Sequence, residues 1–226
     1  MSFRAVLFDL DGTLLDTLAD IAESTNTALI RLGFRPHKVD AYRYFIGDGR
    51  EALAYRALPE GHRDPTTVAK VVTLINTEYD FHWADNTHPY PGIADLLDSL
   101  SMRDIKMTVL SNKAHRFTEM MVSSMLARWH FDMIVGASPE VPKKPDPTTA
   151  ILIANQVGIP PSEFIYLGDS DIDMKTAVAA GMYPVGALWG FRSANELLSG
   201  GALALVKEPG ELLRLIFRND ESVRPS

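Results

Sequence analysis

The 226-residue chain has no cysteine. That removes disulfide staples, thiolate metal sites and cysteine nucleophiles together, and it fits a reducing compartment. Histidine offers little in their place. None of the six (His37, His62, His82, His88, His115, His130) has a partner at the spacing that puts two rings on one helix face, so zinc-hydrolase chemistry is not expected. Positive charge is in deficit, with 22 Lys and Arg against 29 Asp and Glu for a net charge of −7. Such a field repels nucleic-acid backbones and anionic lipid, so no nucleic acid and no membrane are expected as partners. Long uncharged apolar runs are missing, and the N-terminal stretch reaches Asp9 before a signal-peptide core is complete. A cytoplasmic protein is the expectation.

What is present is an ordinary globular composition, 46% apolar and 23% charged, with enough chain for a large core and an inserted domain. Five short apolar segments stand out: Ala5 to Phe8, Met107 to Leu110, Met133 to Val135, Phe164 to Leu167 and Pro184 to Leu188. Unbroken runs of this length are what strands buried on both faces of a parallel sheet look like. Helical periodicity fills the gaps between them, as in Ile93, Leu96, Leu97 and Leu100 after Pro91-Gly92, and a closing helix is marked by Leu212, Leu213, Leu215 and Ile216. Asn219 to Ser226 reads as a frayed tail.

The stretch between the first two strands is too long for one crossover. Leu18, Ile21, Ala22, Thr25, Leu29 and Leu32 mark one amphipathic helix, ended by Gly33, and Val68, Val71, Val72, Ile75 and Tyr79 mark another. Tyr42 to Ile46 and Ala52 to Leu58 between them are helix-compatible. The expected fold is therefore α/β, a doubly wound parallel sheet with a Rossmann-like core formed by residues 1–16 and 87–226, carrying an inserted all-helical cap over residues 17–86.

Chemistry gathers where the strands end. The first runs into Asp9-Leu10-Asp11-Gly12-Thr13-Leu14, two carboxylates at the edge where parallel sheets present ligands. A lone Asp-x-Asp-Gly is satisfied by a simple turn, so the partners decide. After the second strand come Ser111-Asn112-Lys113, a hydroxyl and backbone donors that also suit a helix N-cap. Lys143-Lys144-Pro145-Asp146-Pro147 presents a lysine, and Gly168-Asp169-Ser170-Asp171-Ile172-Asp173 places three more carboxylates at a strand tip and helix start, more than capping requires. In the second stretch, Ile46-Gly47-Asp48-Gly49-Arg50 pairs two turn-permitting glycines with a cation; it reads equally as a helix-helix turn or as a loop whose Arg50 binds a substrate carboxylate.

Together these motifs resemble the haloacid dehalogenase superfamily of phosphatases. Asp9 to Leu14 matches the nucleophile motif, Ser111-Asn112 the second, Lys144-Pro145 the third, and Gly168-Asp169-Ser170 with Asp173 the fourth. The helical insert, with Gly47-Asp48-Gly49, Pro91-Gly92 and Ala179-Ala180-Gly181, is similar to the phosphoglycolate phosphatase branch. The resemblance implies that Asp9 is the nucleophile and Asp11 the general acid and base. It implies a magnesium ion on Asp9, the Asp11 backbone carbonyl and Asp169. Thr13, Ser111 and the Asn112 backbone would hold phosphoryl oxygens. Lys144 would stabilise Asp9 and the transferring group, and Asp173 would orient Lys144 or a metal-bound water. The implied partner is a small phosphorylated metabolite as substrate, 2-phosphoglycolate first, and the protein is expected to be a monomer or homodimer.

The resemblance speaks against the dehalogenase branch, which lacks an acid two residues after the nucleophile and needs no metal, whereas Asp11 and a full metal set are present here. The insert's two lysines, Lys38 and Lys70, lack a setting for the imine of phosphonate hydrolases. A sugar-phosphate mutase and a pyrophosphatase share the core motifs and stay open. A catalytically inactive binding or regulatory relative would have no need of Asp9, Asp11, Lys144 and Asp169 together.

Overall fold

The structure is a computed structural model that describes residues 2–217; the tail read from Asn219 to Ser226 lies outside the described residues. The chain divides into two compact units, one of residues up to Leu14 and from Pro89 onward, the other Leu15–His88.

The first unit is built on six strands: β1 (Ala5–Phe8), β4 (Lys106–Ala114), β5 (Met133–Ala137), β6 (Phe164–Gly168), β7 (Tyr183–Ala187) and β8 (Ala204–Val206). They lie in the order β5-β4-β1-β6-β7-β8, and every adjacent pair is parallel. The apolar runs explain why. Alternate residues of a strand face opposite sides. Ala5, Leu7, Phe164 and Tyr166 belong to one cluster with Ala150, Ile153 and Ala154 of α6 (Thr148–Val157) and Ala177 and Ala180 of α7 (Asp171–Ala180). Val6, Phe8, Ile165 and Leu167 alternate with them and are just as fully buried. A sheet buried on both faces needs apolar residues at every position, which is the unbroken pattern seen in the sequence. The remaining helices of this unit are α4 (Ile93–Ser101), α5 (His115–Met125), α8 (Ala194–Gly200) and α9 (Glu211–Ile216).

From β1 the chain builds outward on one side through β4 and β5, then crosses to the other side for β6, β7 and β8. Reversal of strand order beside β1 opens a crevice at the carboxyl ends of the strands, the usual ligand position in such sheets. One expectation changes here. Ser111, Asn112 and Lys113 lie inside β4, which runs on to Ala114, and α5 is capped at Ala114, so the alternative of Ser111 as a helix N-cap does not apply. The register between β4 and β5 shifts between Leu110 and Ala114, and this irregularity re-aims the side chains of the segment.

The second unit is helical: α1 (Leu18–Arg31), α2 (Arg50–Ala57) and α3 (Pro65–His82), with a 3-10 helix at Val39–Tyr44. Its core uses Leu18, Ile21, Ala22 and Leu29 of α1 with Val71, Ile75 and Tyr79 of α3. Short strands β2 (Leu15–Asp16) and β3 (His88–Pro89) pair where the chain enters and leaves it. The return segment is held by one buried carboxylate. Asp20 accepts five hydrogen bonds, from Asn86 N and Nδ2 and from Thr87 N and Oγ1, at 2.6–3.1 Å. Among the described residues no helix is long and apolar enough to cross a membrane.

Candidate active site

Asp9 follows β1, Lys144 follows β5 and Asp169 follows β6, so parallel strands deliver all three to one edge. Lys144 Nζ lies 2.6 Å from Asp173 Oδ1, 3.1 Å from the Leu110 carbonyl and 2.9 Å from Asp9 Oδ1. The first two are hydrogen bonds. The approach to Asp9 is a charge contact without the angles of one, and Asp9 Oδ1 has no hydrogen-bond partner although it is buried. Asp173 is fully used: its Oδ1 also accepts from Tyr166 Oη at 3.4 Å, and its Oδ2 accepts from Ser170 Oγ and Ser170 N, closing a capping box at the start of α7.

Two further contacts fix Lys144 from the backbone side. The Asn112 side chain accepts from Lys144 N at 2.9 Å and donates to Lys144 O at 3.1 Å. Both the oxygen and the nitrogen of the Asn112 amide are thereby engaged with the Lys144 backbone. The Lys144–Pro145 peptide is cis.

Asp169 is walled in by glycines. Its Oδ2 accepts from Phe191 N at 2.6 Å, and Thr13 Oγ1 donates to its Oδ1 at 3.5 Å. A Cβ at Gly12 or at Gly190 would collide with the Asp169 side chain, and Gly12 also has φ +85°. So Gly12 does more than permit the turn expected of it. It also makes room for a carboxylate. Trp189 Nε1 donates to Thr13 O at 2.9 Å, which tethers the segment after β7 to the loop after β1.

One ligand atom each from Asp9, Asp169 and Asp173 lie within 4.8 Å of one another, all buried. Three buried carboxylates face a single ammonium, and the charge imbalance shows in their proton affinities. Burial first, then Asp173, pushes the Asp9 carboxyl up to about 7 against the pull of Lys144. Burial, Asp9 and Asp173 also hold Asp169 well above the carboxylate range. For Lys144 burial acts downward, but Asp173 and Asp9 outweigh it and keep the ammonium firmly charged. A buried carboxylate oxygen without a hydrogen bond, in a cluster of hard oxygen donors, is what a small divalent cation would satisfy. The residues present fit such an ion.

Asp11 points its carboxylate elsewhere. Lys113 Nζ donates to Asp11 Oδ1 at 2.9 Å and Oδ2 at 3.2 Å, and both side chains are largely buried. Sequence reasoning passed over Lys113, because the partner that gives it meaning is 102 positions away. Ser111 Oγ accepts from Lys113 N at 3.2 Å. In the helical unit, Arg50 begins α2, donates to Asn76 Oδ1 at 2.5 Å and lies 4.6 Å over the Tyr79 ring.

Buried acids and a lysine at the strand tips of a parallel sheet, with a helical insert after the first strand, define a class of hydrolase. The description "Haloacid dehalogenase-like hydrolase" matches residues 6–187, and the chain belongs to that family. Within it, similar proteins include phosphoglycolate phosphatases. That of Pseudomonas putida is 33% identical over 199 residues, covering 86% of this chain and 72% of its own. That of Chromobacterium violaceum is 31% identical over 216 residues, covering 94% of this chain and 96% of its own. A solved structure from Lactobacillus delbrueckii subsp. bulgaricus superposes with a TM-score of 0.90 at 30% identity, over 96% of this chain and 99% of that one.

Proposed function

We propose that the chain is a magnesium-dependent phosphatase that hydrolyses a small phosphate monoester, with 2-phosphoglycolate the leading substrate, through a phosphoryl group carried on Asp9. The observation that carries this reading is the buried Asp9 carboxylate, with one oxygen lacking a hydrogen bond, set between Lys144 and Asp169. The identity to phosphoglycolate phosphatases supports the choice of substrate.

Phosphate monoesters are among the slowest biological linkages to hydrolyse unaided, so the site must align a nucleophile and absorb charge. Asp9 attacks phosphorus and the ester P–O bond breaks. Asp11 gives a proton to the departing alkoxide, then takes one from the water that attacks the phosphorus of the Asp9 phosphate. Free phosphate leaves and Asp9 is restored. Lys144, held by Asp173 and Asn112, presents its ammonium to Asp9 and the phosphoryl oxygens. Ser111, the Asn112 backbone and Thr13 cradle those oxygens. Asp9, the Asp11 carbonyl and Asp169 would hold a magnesium ion, which would supply positive charge to offset the anionic nucleophile and phosphoryl group. A cytoplasmic setting accords with a diffusible metabolite as substrate.

The test is Asp9→Asn, expected to fold and to bind substrate without turnover. Rapid quench of the wild type with mass spectrometry should place a labile phosphate on the peptide containing Asp9. An adduct found solely on another peptide overturns the mechanism.

A further inference from the structure

The residues that would hold a magnesium ion come from two separate segments, Asp9 and Asp11 after β1 and Asp169 after β6. The ladder between these strands registers them as far as Phe8 and Leu167. Beyond it, Thr13 Oγ1 reaches across to Asp169 Oδ1, but at a long 3.5 Å. A third element comes closer to both. β7 adjoins β6 and not β1, yet the chain leaving β7 touches the segments that follow each of them. Trp189 Nε1 donates to Thr13 O at 2.9 Å, and two residues later Phe191 N donates to Asp169 Oδ2 at 2.6 Å. To reach from one anchor to the other the backbone must run hard against both segments. The residue between the anchors is Gly190, where a Cβ would lie 2.4 Å from the Gly12 carbonyl oxygen and 2.2 Å from Asp169 Cβ. Gly12 meets it from the far side, where a Cβ would lie 2.3 Å from Asp169 Oδ2 and 3.0 Å from the Phe191 ring.

We propose that Trp189, Gly190 and Phe191 are positioning residues that brace the segments after β1 and β6 at the separation a magnesium ion requires, the Trp189 indole N–H holding one side and the Phe191 N–H the other. This rests on the magnesium-dependent phosphatase reading and deepens it with residues outside the motifs that carry the family resemblance. Two carboxylates directed at one point repel each other when ionised, so the segments that bear them tend to spread. Magnesium tolerates little spread, because it demands short, near-octahedral oxygen contacts. A brace that fixes the ligands beforehand spares the ion the cost of gathering them, which is how partners outside the ligand set raise metal affinity. Trp189 and Phe191 touch no reacting atom in this scheme. They act through Thr13 O and Asp169.

The experiment titrates magnesium into the substrate-free wild type, Trp189→Phe, Gly190→Ala and Trp129→Phe by isothermal titration calorimetry, and records each melting temperature in EDTA. Trp189→Phe keeps an aromatic ring and removes the donor. Trp129 is the control: its Nε1 donates to Asp98 Oδ1 at 2.8 Å in the same unit, ahead of β5 and so at the opposite edge of the sheet. The magnesium dissociation constant should rise ~10-fold or more in Trp189→Phe and stay at the wild-type value in Trp129→Phe, with the two variants melting alike in EDTA. Gly190→Ala should lose the calorimetric signal, and Trp189→Phe carries the test if Gly190→Ala does not fold. A wild-type dissociation constant in Trp189→Phe overturns the proposal and leaves the phosphatase reading standing. An equal loss of affinity in Trp129→Phe also overturns it, since any lost indole hydrogen bond would then do the same. A wild type that binds no magnesium fails the metal-dependent reading, and the proposal with it.

Discussion

Asp9 is a carboxyl group that its own fold discourages from ionising, since burial and Asp173 raise it from 3.8 to about 7. The unfolded chain has no such environment. Between about pH 4 and 7 the native state therefore keeps a proton that the unfolded state gives up, and stability falls as pH rises through that window. Asp169, raised in the same direction, adds to the fall. Lys144 is charged throughout the window and contributes no slope. In EDTA the melting temperature should drop from pH 5 to pH 8, and saturating magnesium should flatten the decline, because a bound cation takes the place of the proton. A melting temperature that climbs across this range without metal contradicts the arrangement.

Asp169→Asn keeps an oxygen for the Phe191 N–H and removes the charge. Magnesium activation should then require at least ~10-fold more metal, and an unaltered titration removes Asp169 from the metal set. At this scale the sequence was informative wherever a residue's neighbours in sequence define its chemistry, as with Asp9-x-Asp11 and Gly168-Asp169. It was silent where the defining partner is remote. Lys113 and the Asn112 amide acquire their roles from Asp11 and from the Lys144 backbone, and nothing adjacent to them announces either.

Elements tell the same story at longer range. The five apolar runs became five of the six strands because burial on both faces demands apolar residues at every position, a pattern with few other causes. β8 escaped notice since it has only three residues, two of them partly exposed, and β2 and β3 have two residues each. In α1 the apolar stripe was legible, yet Asp20 lies buried beside it, and only its bonds to Asn86 and Thr87, 66 and 67 positions on, explain that burial. Asp20→Ala would strand two backbone N–H groups and a hydroxyl together. At about 1–3 kcal/mol for each buried donor left unpaired, which here means the N–H and hydroxyl of buried Thr87, it should destabilise the helical unit far more than an exposed change on the same helix, such as Glu23→Ala. Urea unfolding of both variants checks this, and equal midpoints would mean that the return segment is held by other contacts.

For the whole molecule the open question between phosphatase and mutase comes down to the acceptor of the phosphoryl group. On the proposed mechanism Asp11, once it has protonated the departing alkoxide, would serve as the base for water, so hydrolysis should dominate. Phosphoglycolate turned over in oxygen-18 water should release stoichiometric phosphate carrying one label, incorporated when the Asp9 phosphate is hydrolysed. Interconversion of hexose phosphates with hardly any free phosphate would shift the activity to mutase and leave the fold and the strand-end site as described.

The central place of β1 also sets a timetable for folding. Both of its sheet neighbours lie far downstream, β4 about a hundred residues on and β6 about one hundred and sixty, so the first strand made must wait longest for its hydrogen bonds. The helical unit, by contrast, is one continuous stretch whose contacts close as soon as α3 exists. During refolding, amides of α1 and α3 should gain protection from hydrogen exchange before those of β1. Asp9, at the end of β1, thus belongs to a segment whose sheet partners are made long after it, and on the proposed mechanism the nucleophile would be set in place only after the helical unit has formed. Protection of β1 ahead of α1 would reverse that order.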